Sequence, residues 1–175
     1  MSDTAGLPPL ILIKIEEQIE RLVHLARQLP SGGAPLLDWR PTLPHELPAM
    51  SLGELLHHLL DCLAGFGAVL QAVHPENRRP MADLQAQLAS PPASVTDFQA
   101  RLQTSAAHIA TGFASLTNDD LERAIPTVFV PQGEAVLSLL LGNFEHLVNH
   151  KFQLFFYLKL LGVAVGTPDL YVLRG

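Results

Sequence analysis

Two histidines stand four residues apart in the stretch NFEHLVNHKFQL, residues 143–154. On a helix, His146 and His150 share one face, one turn apart, where two imidazoles can reach a single ion. The same spacing suits two core or interface histidines, each bonded to a backbone carbonyl or a carboxylate, and in a chain with eight histidines the pair alone does not decide. A third donor shifts the balance. The segment ELLHHLLD places His57 and His58 among leucines. One histidine from one helix of a bundle and an i, i+4 pair from another make a workable three-nitrogen set. Three protein ligands leave at least one coordination position open, as catalytic zinc-type sites do and structural ones do not. An ion held in this way can polarise a substrate or acidify a bound water or thiol.

Neighbouring side chains have both a functional and an ordinary reading. Gln153 follows His150 by three residues and either bonds a metal-bound water or is a surface or interface amide. Glu145 projects about 100° around the helix from His146, so it is solvated or partners a ligand on another helix. Asp61 lies one turn beyond His58, where it either supports that ring or sits at the surface. Cys62 is four residues after His58 and shares its face; it is a fourth ligand, a reactive thiol or, as free cysteines usually are, a packing residue. Arg40 can hold an anionic group, although one arginine before a proline is no evidence in itself. His24, His45, His74 and His108 have no paired spacing and are read as surface residues. The chain has no Gly-rich phosphate loop, no G-x-S-x-G elbow, no C-x-x-C and no pair of Glu-x-x-His motifs, which argues against a di-iron carboxylate bundle.

The elements that must position these residues are helical. Ile11, Ile15, Ile19, Leu22, Val23, Ala26 and Leu29 recur at threes and fours over Pro8 to Leu29, and PSGGAP at 30–35 stops the helix. Pro35, Pro41, Pro44 and Pro48 exclude a regular element from the link over 30–50, whose length suggests a crossover rather than a tight hairpin. Ser51 and Glu54 form a capping box for a second helix running to about His74, weakened but not broken by Gly65 and Gly67. A short helix is expected at 81–89. Thr96 is expected to cap a third long helix striped by Phe98, Leu102, Ile109, Phe113 and Leu116. PTVFV, 126–130, is the one extended candidate. The last helix covers about 134–161, apolar around most of its circumference and suited to a central position or a subunit interface, with Gly162 as its natural terminator and an irregular tail beyond. The economical architecture is an all-α four-helix bundle, a single domain over 1–175.

Composition narrows the classes. The chain has 175 residues, a net charge of −6, 48% apolar and 16% charged residues, and a mean hydropathy of +0.24. No basic footprint for nucleic acid or an anionic membrane surface is present. The N-terminal segment lacks a basic n-region and no apolar run suits a spanning helix, so neither a signal peptide nor a transmembrane segment is expected. The one cysteine cannot form an internal disulfide, and the cytoplasm is the expected compartment.

LLDWRP (36–41), MSLGELLHHLLD (50–61), EHLVNHKFQLFFYLKLLGV (145–163) and the order of elements together resemble the DinB-like (YfiT-like) superfamily of metal-dependent four-helix bundles. The resemblance implies a metal held by one histidine of the second helix and two of the last. Carried over, these are His58, His146 and His150, with His58 chosen because HLLD matches the family's His-apolar-x-acid step and His57 kept as the alternative. It implies a divalent ion, zinc or nickel first and iron after them, since three imidazoles accept several metals. It further implies S-transfer or isomerisation with a small-molecule substrate and a low-molecular-weight thiol, or hydrolysis, in a homodimer. A non-catalytic, metal-binding, dimerising stress-type bundle is the alternative. In the family picture the Trp39 segment is a lid or plug near the bundle end; an ordinary loop anchor is the plainer reading. Asn149 stands where many relatives carry a further histidine, and Phe152 where a glycine is common.

Overall fold

The computed structural model describes residues 6–42, 44, 47–73 and 90–171. The short helix expected at 81–89, His45 and His74 lie outside these residues. Among the described residues, four long helices carry the architecture: α1 (Leu7–Arg27), α3 (Leu52–Val73), α4 (Val95–Phe113) and α6 (Val136–Leu160). Short helices α2 (Ala34–Leu37), α5 (Asn118–Glu122) and α7 (Thr167–Leu170) occupy the connections and the tail. The link over 30–50 and the tail, both expected to hold no regular element, thus each carry one helical turn, because Pro35 and Pro168 sit in the first turn of α2 and α7, where a missing N–H costs nothing. α3 packs against α4 and α6, and α1 packs against the same two, so the long helices close around one core. The expected all-α four-helix bundle is what forms.

The periodic stripes become that core. Ile15, Leu22 and Leu25 of α1, Leu55, Leu59 and Phe66 of α3, and Leu147, Leu154 and Leu158 of α6 are fully or almost fully buried. α3 has the length and hydropathy to cross a membrane, yet 56% of that stretch is buried inside the bundle, the ordinary state of a core helix. It runs unbroken through Gly65 and Gly67. At Gly65 the missing side chain has a use: a Cβ there would meet Asn143 Oδ1 at 3.0 Å, so glycine lets α3 and α6 approach closely.

Local chemistry sets the ends. The capping box predicted for α3 is complete: Glu54 N–H donates to Ser51 Oγ at 3.1 Å and Ser51 N–H to Glu54 Oε2 at 2.7 Å. Glu54 also accepts a two-pronged bond from Arg40 at 2.8 and 2.9 Å. Leu52 N–H donates to Trp39 O at 2.8 Å, tying the Pro-rich link to the start of α3. α4 starts earlier than expected, because Ser94 rather than Thr96 is its cap; the Ser94 hydroxyl accepts from Asp97 N–H at 3.1 Å. α6 starts later than expected. Glu134–Ala135 instead form β2, paired antiparallel with β1 at Ala124–Ile125, so the extended piece precedes PTVFV and does not coincide with it. Thr127 Oγ1 accepts from the N–H groups of Phe129 and Val130, which folds PTVFV into a turn. α6 ends as predicted at Gly162, whose φ of +80° admits the left-handed cap.

Candidate metal centre

α3 and α6 together bring three imidazoles to one point. His58 Nε2 lies 2.9 Å from His146 Nε2 and 3.0 Å from His150 Nε2. The ring centroids are 4.3–4.8 Å apart and every pair is edge-to-face. The sequence explains the placement. His146 and His150 are one turn apart on α6, and His58 falls on the α3 face that Gly65 continues toward α6. His58 and His150 are half-buried and His146 is exposed, so the cluster has one side open to solvent.

The hydrogen bonding of this trio is deficient without a cation. His150 Nδ1 is 2.9 Å from Gln153 Oε1. An amide oxygen only accepts, so Nδ1 carries the proton and Nε2 presents a lone pair to the centre. One proton on His58 Nε2 cannot serve both neighbouring nitrogens fully, whereas one ion serves three lone pairs. Nitrogens bound about 2.1 Å from a tetrahedral ion are separated by about 3.4 Å, so the 2.9 and 3.0 Å separations from His58 lie within a few tenths of an ångström of that spacing. Burial, and then the like charge of the other two rings, holds His58 below the ordinary histidine pKa; burial, and then His150, does the same for His146. Both effects favour the neutral ring, the state a metal requires. The residues present fit a divalent ion.

The remaining sequence candidates separate cleanly. His57, the alternative to His58, turns to Asp61, with Nε2 3.6 Å from Oδ1. Cys62 is buried outside the cluster and burial pushes its thiol up to about 12, so it is neither a fourth ligand nor a ready nucleophile. Glu145 is exposed. Gln153 bonds the ring of His150, a contact that neither the water-binding nor the surface reading anticipated. Arg40 has its guanidinium engaged by Glu54 and, at 2.7 Å, by Ala49 O, so it is not a free anion holder. Trp39 is half-buried and edge-on to Tyr157, centroids 5.5 Å apart. That contact, with its backbone bond to Leu52, makes it an anchor of the link. Phe152 turns outward beside Phe155 and Phe156 and does not fill the histidine cluster. Among the remaining histidines, His108 is exposed, but His24 is half-buried and bonds Asp169 at 2.8 Å, which corrects its surface reading.

Two features were not foreseen. Lys151 is buried and donates to Gln18 Oε1 at 2.8 Å across the α1–α6 contact. A lysine inside an apolar run was the available signal. Tyr157 is buried one turn beyond Gln153 and within reach of its amide; its register, i+4 from Gln153, was legible but points to no chemistry by itself.

Fold and site thus define a four-helix bundle with a three-histidine cluster between two of its long helices. The model of the DinB superfamily matches residues 14–154, a span that contains all three histidines, and the chain belongs to that superfamily. Among solved structures, it is similar to a DinB-like protein, YjoA, from Bacillus subtilis: 19% identity, a TM-score of 0.65, and coverage of 87% of this chain and 92% of that one. At that identity the likeness carries the fold alone. No curated protein matches the chain.

Proposed function

We propose that this protein is a metal-dependent enzyme that binds one divalent ion, zinc or nickel before iron, through His58, His146 and His150. The observation that carries the reading is the convergence of three Nε2 atoms beside an open, solvent-facing side at His146. When bound, the ion supplies Lewis acidity toward a thiol or a water. The chain's own part is to hold three imidazole rings on two rigid helices and to keep that side free for a small-molecule substrate. A low-molecular-weight thiol is the favoured co-substrate, with S-transfer or isomerisation as the reaction and hydrolysis as its variant. The buried, strongly protonated Cys62 supports an external thiol over an internal one. The cytoplasm, where such thiols are abundant and a lone cysteine stays reduced, is the compartment this reading assigns.

The test is spectroscopic. Cobalt-loaded protein should gain a near-ultraviolet sulfur-to-cobalt charge-transfer band on addition of a small thiol. Cobalt-loaded protein whose spectrum no thiol changes would contradict the thiol reading.

A second reading, a non-catalytic dimerising bundle, is favoured by the outer face of α6, where Phe152, Phe156 and Leu160 are exposed. Glu145 precedes Phe152 by seven residues and Lys159 follows it by seven, and both are exposed. An antiparallel, two-fold pairing of α6 centred on Phe152 would set Glu145 of each copy against Lys159 of the other. The homodimer is compatible with either reading.

A further inference from the structure

We propose that Gln153 and Tyr157 are positioning residues that fix the tautomer of His150, transmitting to it the polarity of the Met50 carbonyl. The inference rests on the reading of His150 as a metal ligand and concerns what prepares that ring.

The chain of contacts has a single direction. His150 Nδ1 meets Gln153 Oε1 at 2.9 Å, Gln153 Nε2 meets the Tyr157 hydroxyl at 3.3 Å, and that hydroxyl donates to Met50 O at 2.9 Å. A backbone carbonyl can only accept. The Tyr157 proton is therefore committed to Met50, which leaves its oxygen to accept from the Gln153 amide nitrogen. The amide cannot flip without opposing two donors or two acceptors, so its oxygen faces His150. Nδ1 of that ring must then carry the proton, and Nε2 must present its lone pair to the centre. A carbonyl at the start of the second long helix thus decides the protonation of a ring nitrogen three links away.

The surroundings hold the relay rigid. Tyr157 is buried, and its ring is fixed edge-on by Trp39. Met50 lies next to the capping box of Ser51 and Glu54, and Trp39 is bonded through its backbone to Leu52. The link over 30–50 therefore sets the acceptor at one end of the relay and the packing of its middle member, a use for that segment distinct from covering the site. Outer partners of this kind orient a ligating ring, and their loss typically weakens metal affinity about 10–100-fold.

The experiment compares wild type with Gln153→Leu, Gln153→Glu and Tyr157→Phe. Zinc affinity is read by chelator competition, and the His150 tautomer by long-range proton–nitrogen NMR on zinc-free protein, with circular dichroism as the check on folding. In wild type the zinc-free ring should carry its proton on Nδ1. Gln153→Leu should lose that preference and bind zinc about 10–100-fold more weakly. Gln153→Glu still accepts from Nδ1 and should keep the tautomer, with the Tyr157 hydroxyl turning from Met50 to the second carboxylate oxygen, and should bind zinc more tightly than Gln153→Leu. Tyr157→Phe, which frees the amide to flip, should give a mixed tautomer and an intermediate affinity. An unchanged tautomer and affinity in Gln153→Leu would overturn the proposal; should that variant not fold, the same result in Tyr157→Phe would do so. A wild-type protein that binds no zinc would remove the metal reading instead, and the zinc-free NMR comparison would still decide the relay.

Discussion

His58 and His146, 88 residues apart in the chain, bring their Nε2 atoms within 2.9 Å of each other. The contact joins the second long helix to the last, and two turns further along the same face of α3 Gly65 makes room for the Asn143 side chain of α6. His57, one residue earlier, is rotated about 100° away and meets Asp61 instead.

That difference predicts unequal effects of two adjacent substitutions. Zinc at about 100 times its Kd should stabilise the wild type by about 2.7 kcal/mol, a rise in Tm of roughly 5–10 °C for a chain of this size. His57→Ala should show the same zinc-dependent rise, and His58→Ala should show none. Equal loss in both, followed by differential scanning fluorimetry with and without zinc, would break the assignment of ligands.

Lys151 predicts a pH dependence of stability. Burial, and then the nearby Arg21, lowers its pKa to about 8. In the unfolded chain the value is about 10.4, so between these limits the unfolded state binds more protons and folding gains stability as pH rises. The gain attributable to this group is about 3 kcal/mol. Cys62 acts oppositely, since its thiol is held up to about 12 in the fold and ionises near 8.5 when unfolded. Lys151→Met removes only the first contribution. The stability of wild type minus that of Lys151→Met, from urea unfolding at pH 7, 9 and 10.5, should therefore increase with pH. A flat difference would show that the ammonium carries no burial penalty.

Two-fold pairing of α6 predicts a charge-swap result. Glu145→Lys alone and Lys159→Glu alone should each weaken self-association, about fivefold or less for exposed pairs, and the double variant should restore it. Phe152→Glu at the proposed axis should abolish it. Sedimentation equilibrium checks all four, and a wild-type monomer at every concentration would end the idea.

Much of this arrangement was legible beforehand. The isoleucine ladder of α1, the Ser51–Glu54 box and the i, i+4 histidines carry their geometry in their spacing, because helical periodicity and capping are local. The choice of His58 over His57 was not local: both lie in one helix, and the match of HLLD to a family pattern selected the one that the packing of α3 on α6 turns inward. Where expectation missed, a competing contact won. Glu134 and Ala135 left α6 to pair with β1, and Ser94 displaced Thr96 as a cap because Asp97 follows it at the capping distance. For Gln153, neither the water-binding nor the surface-amide reading finds the contact, since nothing in its spacing says that Tyr157 and Met50 orient it toward the ring of His150. The pairing of Lys151 was not legible, because its amide partner, Gln18, lies on a helix distant in sequence.

The central claim is most directly tested by the metal content of protein purified without a histidine tag, measured by mass spectrometry for wild type and His150→Ala. One equivalent of zinc, nickel or iron in the wild type, absent from the variant, is the predicted result. No metal in either, with a Tm that chelation leaves unchanged, would contradict it.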